Sequence, residues 1–123
     1  MAMLTKIPTP NFKQLSAITH PPGPLMILAG AGTGKTFTLE NRIVYLIEHY
    51  KVNPKHILAI TYTEKAAREL KTRIVNRVGS YAHTMTVNTF HSFCFSIIKE
   101  FGDGSLPQLF DESEAIHMLL ERF

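Results

Sequence analysis

Ala29-Gly30-Ala31-Gly32-Thr33-Gly34-Lys35-Thr36 sets alternate glycines ahead of a lysine and a threonine. An apolar run, Leu25-Met26-Ile27-Leu28, leads in, and an amphipathic helical pattern leads out. Strand, glycine loop and helix in that order are the context a phosphate-binding loop requires. Glycines let successive N–H groups turn inward around phosphate oxygens, and the N-terminus of the following helix adds partial positive charge. In such a loop Lys35 reaches the β- and γ-phosphates, and the Thr36 hydroxyl ligates Mg²⁺. The stretch departs from GxxxxGK[ST] at Ala29, where the pattern has glycine. It reads as a nucleotide-phosphate site.

Upstream, residues 11–18 carry apolar side chains at Phe12, Leu15 and Ile18, the spacing of a short helix, and His20-Pro21-Pro22-Gly23-Pro24 breaks it. Residues 25–29 lack polar alternation, which predicts a strand covered on both faces of a parallel sheet. Downstream, Leu39, Ile43, Leu46, Ile47 and Tyr50 mark one helical face, ended by Asn53-Pro54. Residues 56–60 read as a second buried strand. Thr61 and Glu64 fit an S/T-x-x-E capping box opening the next helix. Its apolar face is Ala67, Leu70, Ile74 and Val78, its charged face includes Lys65, Arg68, Lys71, Arg73 and Arg77, and Gly79 stops it. Residues 85–87 suggest a short third strand. Phe90, Phe93, Cys94, Ile97, Ile98 and Phe101 predict an amphipathic helix closed by Gly102, and Asp111 and Glu114 cap a final one.

The 123 residues, 45% hydrophobic and 19% charged, suit one ordinary globular domain rather than a disordered chain. A net charge of +3 is compatible with nucleic acid without arguing for it. The single cysteine, Cys94, leaves no internal disulfide, and its apolar neighbours predict a buried, reduced thiol. No apolar run approaches ~20 residues, so no transmembrane helix or membrane partner is expected. The first ten residues lack the blocks of a signal peptide, and the expected location is cytoplasmic. His20, His49, His56, His83 and His117 show no metal-ligand spacing. Strands alternating with helices imply βαβ units and an α/β class. Three strands are few for a parallel sheet, so the pattern reads as incomplete.

Several segments, in order from about residue 11 to the end, resemble one family. Ile57-Leu58-Ala59-Ile60-Thr61-Tyr62-Thr63-Glu64-Lys65-Ala66-Ala67-Arg68-Glu69-Leu70 resembles motif Ia, close to TFTNKAA in its usual form, of UvrD/Rep-type superfamily 1 DNA helicases. Thr86-Val87-Asn88-Thr89-Phe90-His91-Ser92-Phe93 resembles their TFH segment. AGAGTGKT is the family's own form of the loop, Ala29 included, and Gln14 lies fifteen positions before Ala29, a spacing similar to the family's Q motif. Leu109-Phe110-Asp111-Glu112-Ser113-Glu114 resembles the entry to its inserted helical subdomain.

The resemblance implies a P-loop NTPase (RecA-like) parallel sheet with flanking helices, incomplete in this chain. Residues 1–110 would be the N-terminal part of the ATP-binding motor subdomain 1A, and residues 111–123 the start of an inserted helical subdomain. It implies ATP and Mg²⁺ as cofactors, held by Gln14, Ala29, Gly30, Ala31, Gly32, Thr33, Gly34, Lys35, Thr36 and Phe37. Lys35 and Thr36 would serve the chemistry, with Thr36 on the metal. It implies single-stranded DNA against Thr61, Tyr62, Thr63, Lys65 and His91, and the remaining motor domains of the same protein as partners. The roles are physically reasonable. One amide of Gln14 donates and accepts, as an adenine edge requires. A base stacked on Tyr62 is worth about 1–3 kcal/mol without sequence readout. Phe90 fits the core face of its helix, so packing is expected there, and His91 lies off that stripe.

Two positions depart from the family's pattern: Phe37 stands where an arginine is usual, and Glu64 where motif Ia has asparagine. The family's acidic motif does not occur, because the adjacent acids Asp111-Glu112 follow no apolar strand. Phosphoryl transfer depends on such charge neutralisation. The reading is therefore the N-terminal ATP-binding fragment of an ATP-dependent 3′-to-5′ DNA helicase or translocase of DNA repair or recombination, inactive by itself. The alternatives are the helicase part of a helicase–nuclease and a stand-alone nucleotide-binding module without motor activity.

Overall fold

The computed structural model describes residues 8–32 and 34–102, with His117 and Leu120. In chain order the elements are α1 Phe12–Ile18, α2 Lys35–Glu48, β1 Leu58–Thr61, α3 Glu64–Val78, β2 Thr86–Thr89 and α4 Phe90–Phe101. Short 3-10 turns, Pro54–His56 and Ser80–Thr84, precede the two strands. The chain divides into two compact units, Met1–Thr89 and Phe90–Phe123. The domain boundary expected at residues 110–111 and most of the helix expected after it lie outside the described residues.

The first unit is mixed α/β. β1 and β2 pair in parallel, Leu58 opposite Thr86 through Thr61 opposite Thr89, with α3 as the crossover. The core gathers Ile43, Val44 and Ile47 of α2, Ala59 of β1, Ala67, Leu70 and Ile74 of α3, Val87 of β2, and Ala82 and Met85 between them. The helical spacing of 67, 70 and 74 turns one stripe of α3 inward. Gly79 ends the helix with φ 124, a backbone angle that favours glycine, and its N–H bonds the Val75 carbonyl at 2.9 Å.

Several expectations need correction. Residues 25–29 do not form a strand: they run irregularly, and Leu28 is 90% exposed. A continuous apolar run specifies that a strand would be buried, but a strand also needs a neighbour for its N–H and C=O groups. The described residues supply only the β1–β2 ladder. The sheet is accordingly two-stranded and covered on one face. Ala59, Val87 and Thr89 are buried on that face, while Leu58 on the other is half exposed. β1 starts two residues later than expected because Asn53 caps the turn at Pro54–His56, accepting the Lys55 N–H at 3.0 Å. β2 is Thr86–Thr89 rather than residues 85–87, because Met85 closes the preceding turn.

The cap of α3 is Thr63, not Thr61. Thr61 is still in the ladder opposite Thr89, whereas Thr63 is extended and its hydroxyl accepts the Ala66 N–H at 3.1 Å. Glu64 then falls in the first helical turn, where its charge suits the dipole. In α2, Leu39 is exposed and Tyr50 lies beyond the helix, so the buried stripe is Thr38, Ile43, Val44 and Ile47. Helix α4 has no buried residue, Cys94 is exposed, and Phe90 is 68% exposed instead of packed. Apolar periodicity names a face, but burial needs a second surface, which the described residues do not provide.

The contrast between Leu70 and Leu28 is measurable. Leu70→Ala should lower stability in urea unfolding by about 2–5 kcal/mol through a cavity, and Leu28→Ala should stay within about 0.5 kcal/mol. Equal losses at both positions would restore the buried strand before the loop.

Candidate functional site

The chain enters α2 through Gly34, whose φ of 79 and ψ of 32 are left-handed, and Gly32 shares this region with φ 72. A side chain at position 34 would be strained, and its Cβ would lie 2.8 Å from Gln14 Nε2. No side chain caps α2, and no acid occupies its first turn. Its first residue is Lys35, a cation at the positive end of the dipole, which costs the isolated helix about 0.3–1 kcal/mol. The N–H groups of its first three residues have no intrahelical acceptor. Both choices are poor for a helix alone and good for holding an anion. The Thr38 hydroxyl and backbone N–H both donate to the Gly34 carbonyl, at 3.0 and 2.9 Å, and fix the turn from inside.

Helix α1 supplies the opposite wall. Asn11 Oδ1 accepts the Gln14 N–H, and Gln14 Oε1 accepts the Asn11 N–H, each at 2.9 Å, in a reciprocal capping box. Between the two helices lies a cleft of about 280 Å³, lined by Asn11, Lys13, Gln14, Ala17, Ile27, Leu28, Ala29, Gly30, Lys35 and Thr38. Of the residues expected from the sequence, it brings together Gln14, Ala29, Gly30 and Lys35. Ala31, Gly32 and Thr36 are exposed outside its lining, Phe37 is half-buried, and Thr33 lies outside the described residues. Sequence reasoning missed Asn11, Lys13 and Thr38. The spacing Asn11-x-x-Gln14 signalled the cap; no pattern distinguished Lys13 or Thr38.

A second set lies where β1 passes into α3. The Thr61 hydroxyl donates to the Thr63 carbonyl at 2.9 Å, Thr63 caps the helix, and Lys65 is exposed in its first turn. Between the two threonines Tyr62 is 97% exposed, so its ring packs on nothing in the core. His91 is exposed on α4, in the other unit. Among the described residues no three His, Cys, Asp or Glu side chains group to hold a metal. None of the described helices is long and apolar enough to cross a membrane.

Residues 10–116 match the family model described as the UvrD/REP helicase N-terminal domain. The ATP-dependent DNA helicase PcrA of Staphylococcus aureus strain Mu50 is 46% identical over 93 residues, 76% of this chain and 13% of the relative. PcrA of Staphylococcus epidermidis matches with the same identity and shares. The chain therefore spans a small part of the length of these curated relatives. With a bare helix N-terminus behind the glycine loop and a family match over residues 10–116, the chain belongs to the UvrD/REP helicase N-terminal domain family.

Proposed function

We propose that the chain is the N-terminal ATP-binding part of an ATP-dependent DNA helicase. In this reading a RecA-like P-loop fold is completed by the remaining motor domains of the same protein. The observation that carries it is the uncapped, glycine-opened start of α2, with Lys35 lining a cleft shared with Gln14. These residues fit a nucleotide. Loop N–H groups and the Lys35 ammonium suit a triphosphate, and the exposed Thr36 hydroxyl suits Mg²⁺, which supplies charge neutralisation when bound. A cleft of about 280 Å³ lies near the small end of ligand sites, roughly 300–1,000 Å³. It suits the base end of the nucleotide, leaving the phosphates on the open loop.

Single-stranded DNA is assigned to Thr61, Tyr62, Thr63, Lys65 and His91. Stacking on Tyr62 and phosphate contacts at the start of α3 would bind any sequence and weaken with salt. Movement 3′ to 5′, a role in repair or recombination, and cytoplasmic location complete the reading. They rest on the family resemblance alone.

Isothermal calorimetry should detect Mg²⁺-assisted ATP binding by the chain, lost in Lys35→Ala. Equal affinities for the two proteins would remove the phosphate loop from the reading. Hydrolysis by these 123 residues should stay at background, because the sequence holds no acidic pair behind an apolar strand. Phosphate release that disappears in Lys35→Ala would overturn that expectation.

Tyr62→Ala should weaken binding of a labelled oligothymidine on the order of tenfold in fluorescence anisotropy, the value of one lost stack. The urea midpoint should not move, since the ring is outside the core. A lowered midpoint with unchanged DNA affinity would make Tyr62 a packing residue.

A further inference from the structure

Arg42 stands on α2 two turns beyond Lys35, and its guanidinium reaches the far end of α1. Nη1 donates to the Ile18 carbonyl at 2.9 Å and also to the His20 carbonyl, and Nη2 reaches the Pro21 carbonyl at 3.5 Å. These acceptors are the last residue of α1 and the turn that follows. Helix ends leave such carbonyls without intrahelical donors. A planar fork of N–H groups can serve several converging oxygens, which a lysine ammonium on a flexible stem does less well.

The rest of α1 is weakly held. Ile18 is its one buried residue, at 6% exposure, while Phe12 is 86% exposed and Leu15 is also open. The C-terminal end of the helix is set by Ile18 and the Arg42 fork. Gln14 lies one turn earlier, about 6 Å along the axis. Its Oε1 is held by the Asn11 N–H, and its Nε2 lies against Gly34. Arg42 itself does not line the cleft. The buried core joins α2, α3 and the two strands and includes no residue of α1. Releasing the fork would thus move α1 without dismantling the core.

We propose that Arg42 is a positioning residue for base recognition: it sets the pose of α1 and so the placement of the Gln14 amide over the cleft. The proposal rests on the reading that this cleft takes an adenine nucleotide. The fork acts through Gln14 and touches neither base nor phosphate.

The test titrates the full chain with ATP, GTP and inorganic tripolyphosphate by calorimetry, with circular dichroism following the fold. The proteins are the unaltered chain, Arg42→Ala, Arg42→Lys, Gln14→Ala and the double variant Gln14→Ala/Arg42→Ala. The unaltered chain should prefer ATP to GTP. Arg42→Ala should weaken ATP on the order of tenfold, the value of about one hydrogen-bonded base contact, and leave tripolyphosphate unchanged. Adding Arg42→Ala to Gln14→Ala should weaken ATP no further, because the two act in series. Equal weakening of all three ligands, or full additivity with Gln14→Ala, would reduce Arg42 to general stability and overturn the proposal. If Arg42→Ala does not fold, Arg42→Lys carries the comparison, and a base preference equal to that of the unaltered chain overturns it. ATP binding that ignores Arg42 sinks the proposal alone, whereas no binding of any ligand by the unaltered chain sinks the nucleotide reading beneath it.

Discussion

The first turn of α2 is bare of any side-chain cap, and the rest of that helix carries the consequence. A side-chain cap would contribute about 0.5–2 kcal/mol, and Gly34 provides none. Lys35 adds a charge of the wrong sign for the dipole. The compensation lies further along the same helix. Ile43, Val44 and Ile47 are each within 5% of full burial, and burying an aliphatic side chain is worth about 1.5–3 kcal/mol. One apolar stripe thus outweighs the missing cap, and the N–H groups can face an anion.

Ionic contacts repeat the arrangement on the side of α2 nearest α3. Glu40, with its side chain 12% exposed, lies 3.2 Å from Arg77 and 3.9 Å from Arg73. Arg77 also donates to Asn41 Oδ1 at 3.0 Å, and Asn41 donates back to the Phe37 carbonyl at 2.7 Å. A largely buried carboxylate with two cationic partners is costly to strip of them, whatever its net worth when paired. The pair fixes α2 against α3 along their lengths. Both candidate surfaces of the first unit, the glycine loop and the Tyr62 turn, therefore sit at N-terminal ends of helices that share one core.

The sequence made the helices legible, because their information is local. The stripe of α3 and its stop at Gly79 follow from a 3.6-residue period and one glycine, and both stand in the structure. Thr61 and Thr63 show where local information runs out. Either threonine could cap α3, and the choice is made by Thr61 pairing with Thr89, twenty-eight positions away. The lead-in at residues 25–29 failed for a related reason: hydrophobicity cannot report whether a partner strand exists. Phe90 and Cys94 failed because an apolar stripe does not name what covers it. At the candidate site the glycine loop was plain in the sequence. The capping box that holds the Gln14 carbonyl follows from the Asn11-x-x-Gln14 spacing, a local signal that says nothing of a ligand.

The missing strand at residues 25–29 bears on the organisation of the site. The glycine loop has a firm exit, because α2 is anchored in the core, and a lead-in that no ladder among the described residues holds. Order on the approach side has to come from elsewhere. Helix α1 is the element placed to supply it, since its residues form the cleft wall opposite Lys35 and Gln14 meets the loop at Gly34. Yet α1 buries only Ile18, too little apolar surface to fix a seven-residue helix by packing alone. Its C-terminal end is therefore held by polar contacts from Arg42, while the Asn11–Gln14 box orders the first turn of α1 itself. A recognition wall held by directional bonds has a defined pose, and losing one bond displaces the wall while the core that supports α2 stays intact.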